Sequence, residues 1–247
     1  MQELRGIMLP PTKSTITTAL CSGLLLGTVA CGTSYDYDEP KDFREGSGQE
    51  AMGDELAYPP GPYGYGIGSV IPPYEFIGYQ HPESELYGPM RRINLAEYYN
   101  PTGVELYAPG GGMPEGAPRP VALLLSMSAV WCPPCNQEAD SILPVRYTNL
   151  KPRGAEFLVN LADSAMPGSP ATKGNLDAWI EKYDIEYPLV LDPTYKLSPV
   201  MAQPAWPANF IIDTRTMRIA KSVAGSPDSL FWNTMSQVLD GTFDWPE

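Results

Sequence analysis

The stretch Pro120-Val121-Ala122-Leu123-Leu124-Leu125-Ser126, followed five residues on by Trp131-Cys132-Pro133-Pro134-Cys135, decides the reading of this chain. An apolar run of this length reads as a buried strand. The two cysteines after it stand one helical turn apart, and two intervening residues let their sulfurs close into a disulfide and reopen without rebuilding the backbone. A helix N-terminus offers unpaired N–H groups and partial positive charge, which favour thiolate over thiol at the leading sulfur. Cys132 is therefore the expected nucleophile of a redox dithiol, and Cys135 the residue that resolves its mixed disulfides.

Two other uses of a CxxC pair stay open at this point. Half of a tetrahedral zinc site needs two further soft or imidazole ligands. The remaining cysteines, Cys21 and Cys31, fall in a signal-like N-terminus, and the single histidine, His81, beside Pro82 and Glu83, reads as a surface loop residue. No metal is expected. A purely structural disulfide is the second alternative, but so short a loop constrains the unfolded chain little.

The 247 residues suit one medium domain with appendages, and 43% hydrophobic content allows a real core. A formal net charge of −13 argues against nucleic acid and against charge-driven binding to anionic lipid. Acidity is concentrated between Gly32 and Leu56, where eight carboxylates outnumber Lys41 and Arg44. Before it, Arg5 and Lys13 precede an apolar, small-residue run, Ile16 to Ala30, shorter than a membrane span. Its end, Leu26-Gly27-Thr28-Val29-Ala30-Cys31-Gly32, resembles a bacterial lipobox, although Thr28 stands where such motifs prefer leucine. The resemblance implies residues 1–31 as a lipoprotein signal peptide with Cys31 as the lipidation point; an ordinary cleaved signal is the alternative. Residues 32–69, acidic and then Pro/Gly/Tyr-rich (AYPPGPYGYGIGS over 57–69), read as a flexible linker, and residues 70–247 as the folded domain.

Within the domain, Ile71 to Phe76 and Ile93 to Tyr98 are short pieces bounded by turn residues, with Asn100-Pro101-Thr102-Gly103 a turn. The helix opening at the CxxC runs to about Leu150, with Pro144 predicting a kink or early stop. Glu156 to Leu161 is a strand; Leu176, Trp179, Ile180 and Tyr183 mark an amphipathic helix; Tyr187 to Leu191 is extended. Asn209 to Ile212 and Met217 to Val223 form a hairpin around Thr214-Arg215-Thr216. A last helix over 227–239 takes Ser226 as N-cap and turns Leu230, Phe231, Met235 and Val238 inward. This order of elements is that of an α/β fold, a mixed sheet with helices on both faces.

From about Val70 to Leu239 the chain resembles the thioredoxin fold, and more closely the TlpA/ResA-type membrane-anchored thiol-disulfide oxidoreductases. The resemblance rests on the strand–WCPPC junction, on Glu138 three residues after Cys135, on Leu191-Asp192-Pro193, and on Trp206-Pro207 followed by Asn209-Phe210-Ile211-Ile212-Asp213. It implies a central mixed β-sheet flanked by helices with an N-terminal β extension. It also implies a cis bond at Pro207, with Trp206 and Trp131 beside the dithiol to receive an extended client, and Glu138 as a carboxylate that assists Cys135. An exposed helix glutamate is the plainer reading of Glu138.

The chain departs from the pattern of that family in places. The buried aspartate of thioredoxins, six residues before the first cysteine, is Ser126 here; Ala139 and Ser128 replace the family's usual proline and a common tryptophan. Peroxiredoxins need a Thr or Ser where Ala129 stands, and SCO-type copper chaperones need a histidine after His81, where the chain has none. The expectation is an exported, membrane-tethered thiol-disulfide oxidoreductase of the bacterial envelope, facing the periplasm and needing no cofactor. Its partners would be disulfide-containing envelope proteins and a membrane electron donor that re-reduces the dithiol. A non-catalytic, protein-binding lipoprotein or a peroxiredoxin-like antioxidant enzyme are the alternatives.

Overall fold

The structure, a computed structural model, describes residues 56–82, 89–110, 112–200 and 205–246. The signal-like segment, Cys31 and the acidic tether lie outside the described residues.

Among the described residues seven strands form one sheet: β1 (Glu75–Tyr79), β2 (Arg91–Asn94), β3 (Ala122–Ala129), β4 (Ala155–Asp163), β5 (Leu189–Leu191), β6 (Ala208–Asp213) and β7 (Arg218–Ala224). Their spatial order is β2-β1-β5-β4-β3-β6-β7. β3 pairs in parallel with β4, and β4 with β5, while β6, β7, β1 and β2 join antiparallel. Every residue of β3 and β4 is buried, as strands covered on both faces require. The helices are α1 (Pro133–Gln137), α2 (Leu143–Leu150), α3 (Lys173–Tyr183) and α4 (Ser229–Leu239). This is a thioredoxin-like α/β fold, a mixed sheet flanked by helices, with the antiparallel β1–β2 pair as its N-terminal extension.

Alternation along the strands divides the core in two. Leu124, Phe157 and Ile211 face a cluster completed by Leu143, Trp179, Phe231 and Trp232 from the helices. Leu123, Leu158 and Phe210 face a second cluster with Ile71, Leu95, Tyr98 and Leu197. Helices on both faces were expected, but α2, α3 and α4 all pack against the first. Two successive right-handed crossovers, β3 to β4 and β4 to β5, advance in one direction and put their helices on one side. The opposite face is covered by Tyr58, Val70, Ile71 and Tyr74 ahead of β1, by the 3-10 turn Leu95–Tyr98, and by Tyr195 and Leu197.

Local departures from the expected pattern have physical causes. Pro144 does not end the helix: a π turn, Glu138–Ile142, precedes it, Leu143 N–H donates to Glu138 O, five residues back, and helical structure continues to Leu150. Asp228, not Ser226, caps α4, accepting from Phe231 N at 2.8 Å, and this start leaves Leu230 58% exposed while Phe231, Met235 and Val238 are buried. The Tyr-rich stretch expected in the flexible linker lies on the domain. Tyr58 donates to Ile71 O at 2.7 Å, and Gly68 N and Ser69 O pair with Ile219, so this segment covers the outer edge of β7.

His81 is also not a surface residue. It is 7% exposed, with Nδ1 3.0 Å from Glu186 O and Nε2 3.5 Å from Glu156 Oε2. Glu156 also accepts from Tyr147 Oη, Phe157 N and Lys151 Nζ. Burial works to raise this carboxyl, but hydrogen bonding from His81 and the charge of Lys151 outweigh it and hold it below the ordinary range. Its stabilising contribution is present at neutral pH and is lost as acid protonates it in the folded state. Lys151→Met should therefore cost about 1–2 kcal/mol at pH 7, since Lys151 is half-exposed and other partners remain. That cost should shrink toward zero in acid, which urea unfolding of both proteins across pH will check.

Candidate active site

The redox motif begins where β3 ends. Register between β3 and β4 shifts after Ser128, so that Ala129 pairs with Asp163, and Val130 N donates to Asp163 O at 3.0 Å. Cys132 is the N-cap of α1, in extended conformation, and Pro133 and Pro134 occupy the first turn, where their missing N–H groups cost nothing. Cys135 N donates to Cys132 Sγ at 3.2 Å. The two cysteines are joined by a disulfide, with S–S 2.13 Å and Cα–Cα 5.3 Å. Both cysteines are 0% exposed, and of the four CPPC residues only the two prolines are exposed. The reason is that Cys132 Sγ turns inward onto Cys135 and joins the helix-side core.

Antiparallel pairing of β3 with β6 sets Met127 opposite Ala208, which puts Pro207 and Trp206 beside the end of β3. The Trp206–Pro207 bond is cis, as the resemblance implies, and a second cis bond, Gly61–Pro62, was not anticipated. Trp206 meets Trp131 edge-on at 6.1 Å between ring centroids. Both rings are half-buried. The Trp131 indole donates to Asp163 Oδ2 at 2.8 Å, Gly168 N donates to the same oxygen at 2.8 Å, and Tyr195 Oη donates to Oδ1. Asp163 and Tyr195 thus fix one wall of the site. Neither stood out in the sequence, where Asp163 only ends a hydrophobic strand.

Glu138, three residues beyond Cys135, is 0% exposed, so it is not a solvated helix glutamate. Asn209 of β6 donates Nδ2 toward Glu138 Oε1 and Oε2 at 3.3 and 3.4 Å. Burial raises the carboxyl to about 7, against the opposing pull of hydrogen bonds from Asn209 and Ser226. Ser126, at the place of the thioredoxin aspartate, pairs with Asn209 across the strands and is fully buried. Glu138 is therefore a carboxyl that can take or give a proton near neutral pH.

Sequence reasoning placed Cys132, Cys135, Trp131, Trp206, Pro207 and Glu138 in one site; the structure joins Cys132 to Cys135, sets Trp206 against Trp131 with cis-Pro207 at the start of β6, and holds Glu138 against Asn209 of that strand. His81 lies instead against Glu156. Among the described residues no group of three His, Cys, Asp or Glu side chains is placed to hold a metal ion.

The raised proton affinity of Glu138 makes a stability prediction. A carboxyl raised in the folded state contributes fully below its ordinary 4.5, and that contribution is lost as pH rises through about 7. Glu138→Gln should match the wild type near pH 4.5 and exceed its stability at pH 8 by on the order of 3 kcal/mol. Urea unfolding of the oxidised proteins at the two pH values will check this.

Comparison with known proteins agrees with this architecture. The AhpC/TSA family model matches residues 117–220, from just before β3 into β7. No curated protein sequence matches the chain. A chain provisionally named thiol:disulfide interchange protein DsbE, from Chlorobium tepidum, superposes with TM-score 0.51 at 16% identity, over 70% of this chain and 98% of its own. An uncharacterized conserved protein from Geobacillus kaustophilus gives TM-score 0.51 at 14% identity, over 74% of this chain and 86% of its own. Fold and the bonded CxxC at the end of β3 agree: this is a thioredoxin-fold protein whose cysteine pair stands at disulfide distance, the arrangement that thiol-disulfide chemistry uses.

Proposed function

We propose that the protein is an exported, membrane-tethered thiol-disulfide oxidoreductase that reduces disulfides of envelope proteins through Cys132 and Cys135. The observation that carries this reading is the Cys132–Cys135 disulfide at the start of α1, with Cys135 N–H directed at the leading sulfur.

In the reducing direction, the Cys132 thiolate attacks a client disulfide, forming a mixed disulfide and releasing one client thiolate, which takes a proton from solvent. Cys135 then gives its proton to Glu138, and its thiolate attacks the Cys132 sulfur. The second client thiolate leaves and is protonated, so the client gains two electrons and two protons while Cys132–Cys135 becomes the disulfide. Trp131, Trp206 and the backbone beside cis-Pro207 would hold the client in extended form. Because both sulfurs are buried when bonded, a client or donor reaches Cys132 only as the site opens around these rings.

An oxidising compartment keeps such a couple oxidised, so steady reduction needs a membrane donor that returns two electrons and two protons. Cys31, acylated, would supply the tether, and apocytochromes c are the kind of client that TlpA/ResA-type proteins suggest. The peroxidatic alternative lacks support in the local chemistry: Ala129, where a hydroxyl would orient a peroxide, is a buried methyl.

The direct test is trapping. Cys135→Ser should accumulate mixed disulfides through Cys132, and Cys132→Ser should accumulate almost none; mass spectrometry that finds equal capture would reject the assignment of roles. For the tether, wild-type protein should enter the detergent phase on partitioning and Cys31→Ala should remain unprocessed. Wild-type protein left in the aqueous phase would count against lipidation.

A further inference from the structure

Glu138 must exist in two states if it accepts a proton from Cys135, and each state asks for a different partner. The carboxylate needs a donor; the neutral acid carries its own O–H and needs an acceptor. Buried groups left without either cost stability. The side chain that meets Glu138 from the sheet is Asn209, and an amide carries both functions. Its Nδ2 stands 3.3 and 3.4 Å from the two carboxyl oxygens, with a longer contact of 3.5 Å to Gly225 O. Its Oδ1 is buried with no hydrogen-bond partner among the described residues, and so is the Ser126 hydroxyl on the paired strand.

We propose that Asn209 is a positioning residue for the resolving step, an amide on β6 that holds Glu138 toward the dithiol and satisfies it both as carboxylate and as acid. It donates Nδ2 to the carboxylate and, by turning about its last torsion, accepts through Oδ1 from the protonated acid. This rests on the reading of Glu138 as the proton acceptor for Cys135.

The surroundings leave this work to Asn209. Ser126 offers no charge where thioredoxins place a carboxylate. The dithiol precedes Glu138 by one turn along the chain, and the titratable group coupled to this carboxyl is the buried Tyr187 phenol, which burial and Glu138 keep protonated. Among the described residues Glu138 forms no ion pair, and its other hydrogen-bonding influence is the neutral Ser226 from the β7–α4 connection. Removing the amide donor therefore leaves an ionised Glu138 with less support, and its proton affinity rises.

The experiment follows the two equivalents of thionitrobenzoate released when the full-length reduced protein reacts with 5,5′-dithiobis(2-nitrobenzoate) across pH. The first reports attack by Cys132 and the second reports intramolecular attack by Cys135. In the wild type the second step should titrate with a midpoint near neutrality that Glu138→Gln abolishes. Asn209→Leu should move that midpoint up by about one pH unit or more, while leaving the first step unchanged. Asn209→Ala carries the same expectation should the leucine variant fail to fold, and Asn209→Ser, which restores a group that both donates and accepts, should bring the midpoint back toward the wild type. An unmoved midpoint in the leucine and alanine variants overturns the role of Asn209. A midpoint that survives Glu138→Gln also overturns it and removes Glu138 as the acceptor, yet a continuing second release would leave the oxidoreductase reading intact. Absence of a second release in the wild type would reject the dithiol function itself.

Discussion

The antiparallel register of β3 with β6, Ser126 opposite Asn209 and Met127 opposite Ala208, is the constraint on which the site depends. β3 delivers the WCPPC turn at its end, and β6 begins beside that turn with Trp206 and cis-Pro207. Two residues further along β6, Asn209 faces the helix that opens at the motif and meets Glu138. A slip of one residue would turn Asn209 to the opposite face and bury an apolar side chain against the carboxyl, because strand side chains alternate with a period of two. Full burial of β3 and β4 on both faces makes such a slip costly, so the hydrophobic core also sets the geometry of the chemistry.

Two buried glutamates on this scaffold have opposite fates. Glu156 is compensated by His81, Lys151, Tyr147 and a backbone N–H, and stays ionised as a structural anchor between β4 and the N-terminal extension. Glu138 receives only neutral donors, and burial prevails, which brings its titration near neutrality. The difference lies in whether a cation accompanies the carboxylate into the core. That makes the first a stability element and the second a candidate proton carrier.

Much of this was legible in the sequence because its signals are local. The apolar run of β3, the CxxC spacing, the amphipathic pattern of α3 and the Thr214–Thr216 turn each encode their own element. What the sequence did not disclose depends on contacts between distant segments. His81 reads as a loop residue until Glu156 and Glu186, far along the chain, are found beside it. Tyr58 and its neighbours look like low-complexity linker until β7 provides an edge to cover. Asn209 is one residue in a strand pattern, and only the β3–β6 pairing aims it at Glu138. Burial of Cys132 likewise follows from closure of the disulfide against the core, which spacing alone cannot show.

Whether Cys132 and Cys135 form a reversible dithiol with reducing poise is decided by equilibration in graded glutathione buffers followed by alkylation and mass measurement. Pro133 and Pro134 carry no N–H, so the leading sulfur receives Cys135 N–H alone within the first turn, and a thiolate so modestly supported stabilises the reduced form little. A single two-electron transition is expected near the thioredoxin value of about −270 mV, with the pair oxidised in a mixture poised like the endoplasmic reticulum at about −180 to −210 mV. A pair that stays reduced in that mixture, or one that shows no transition at all, would contradict that expectation.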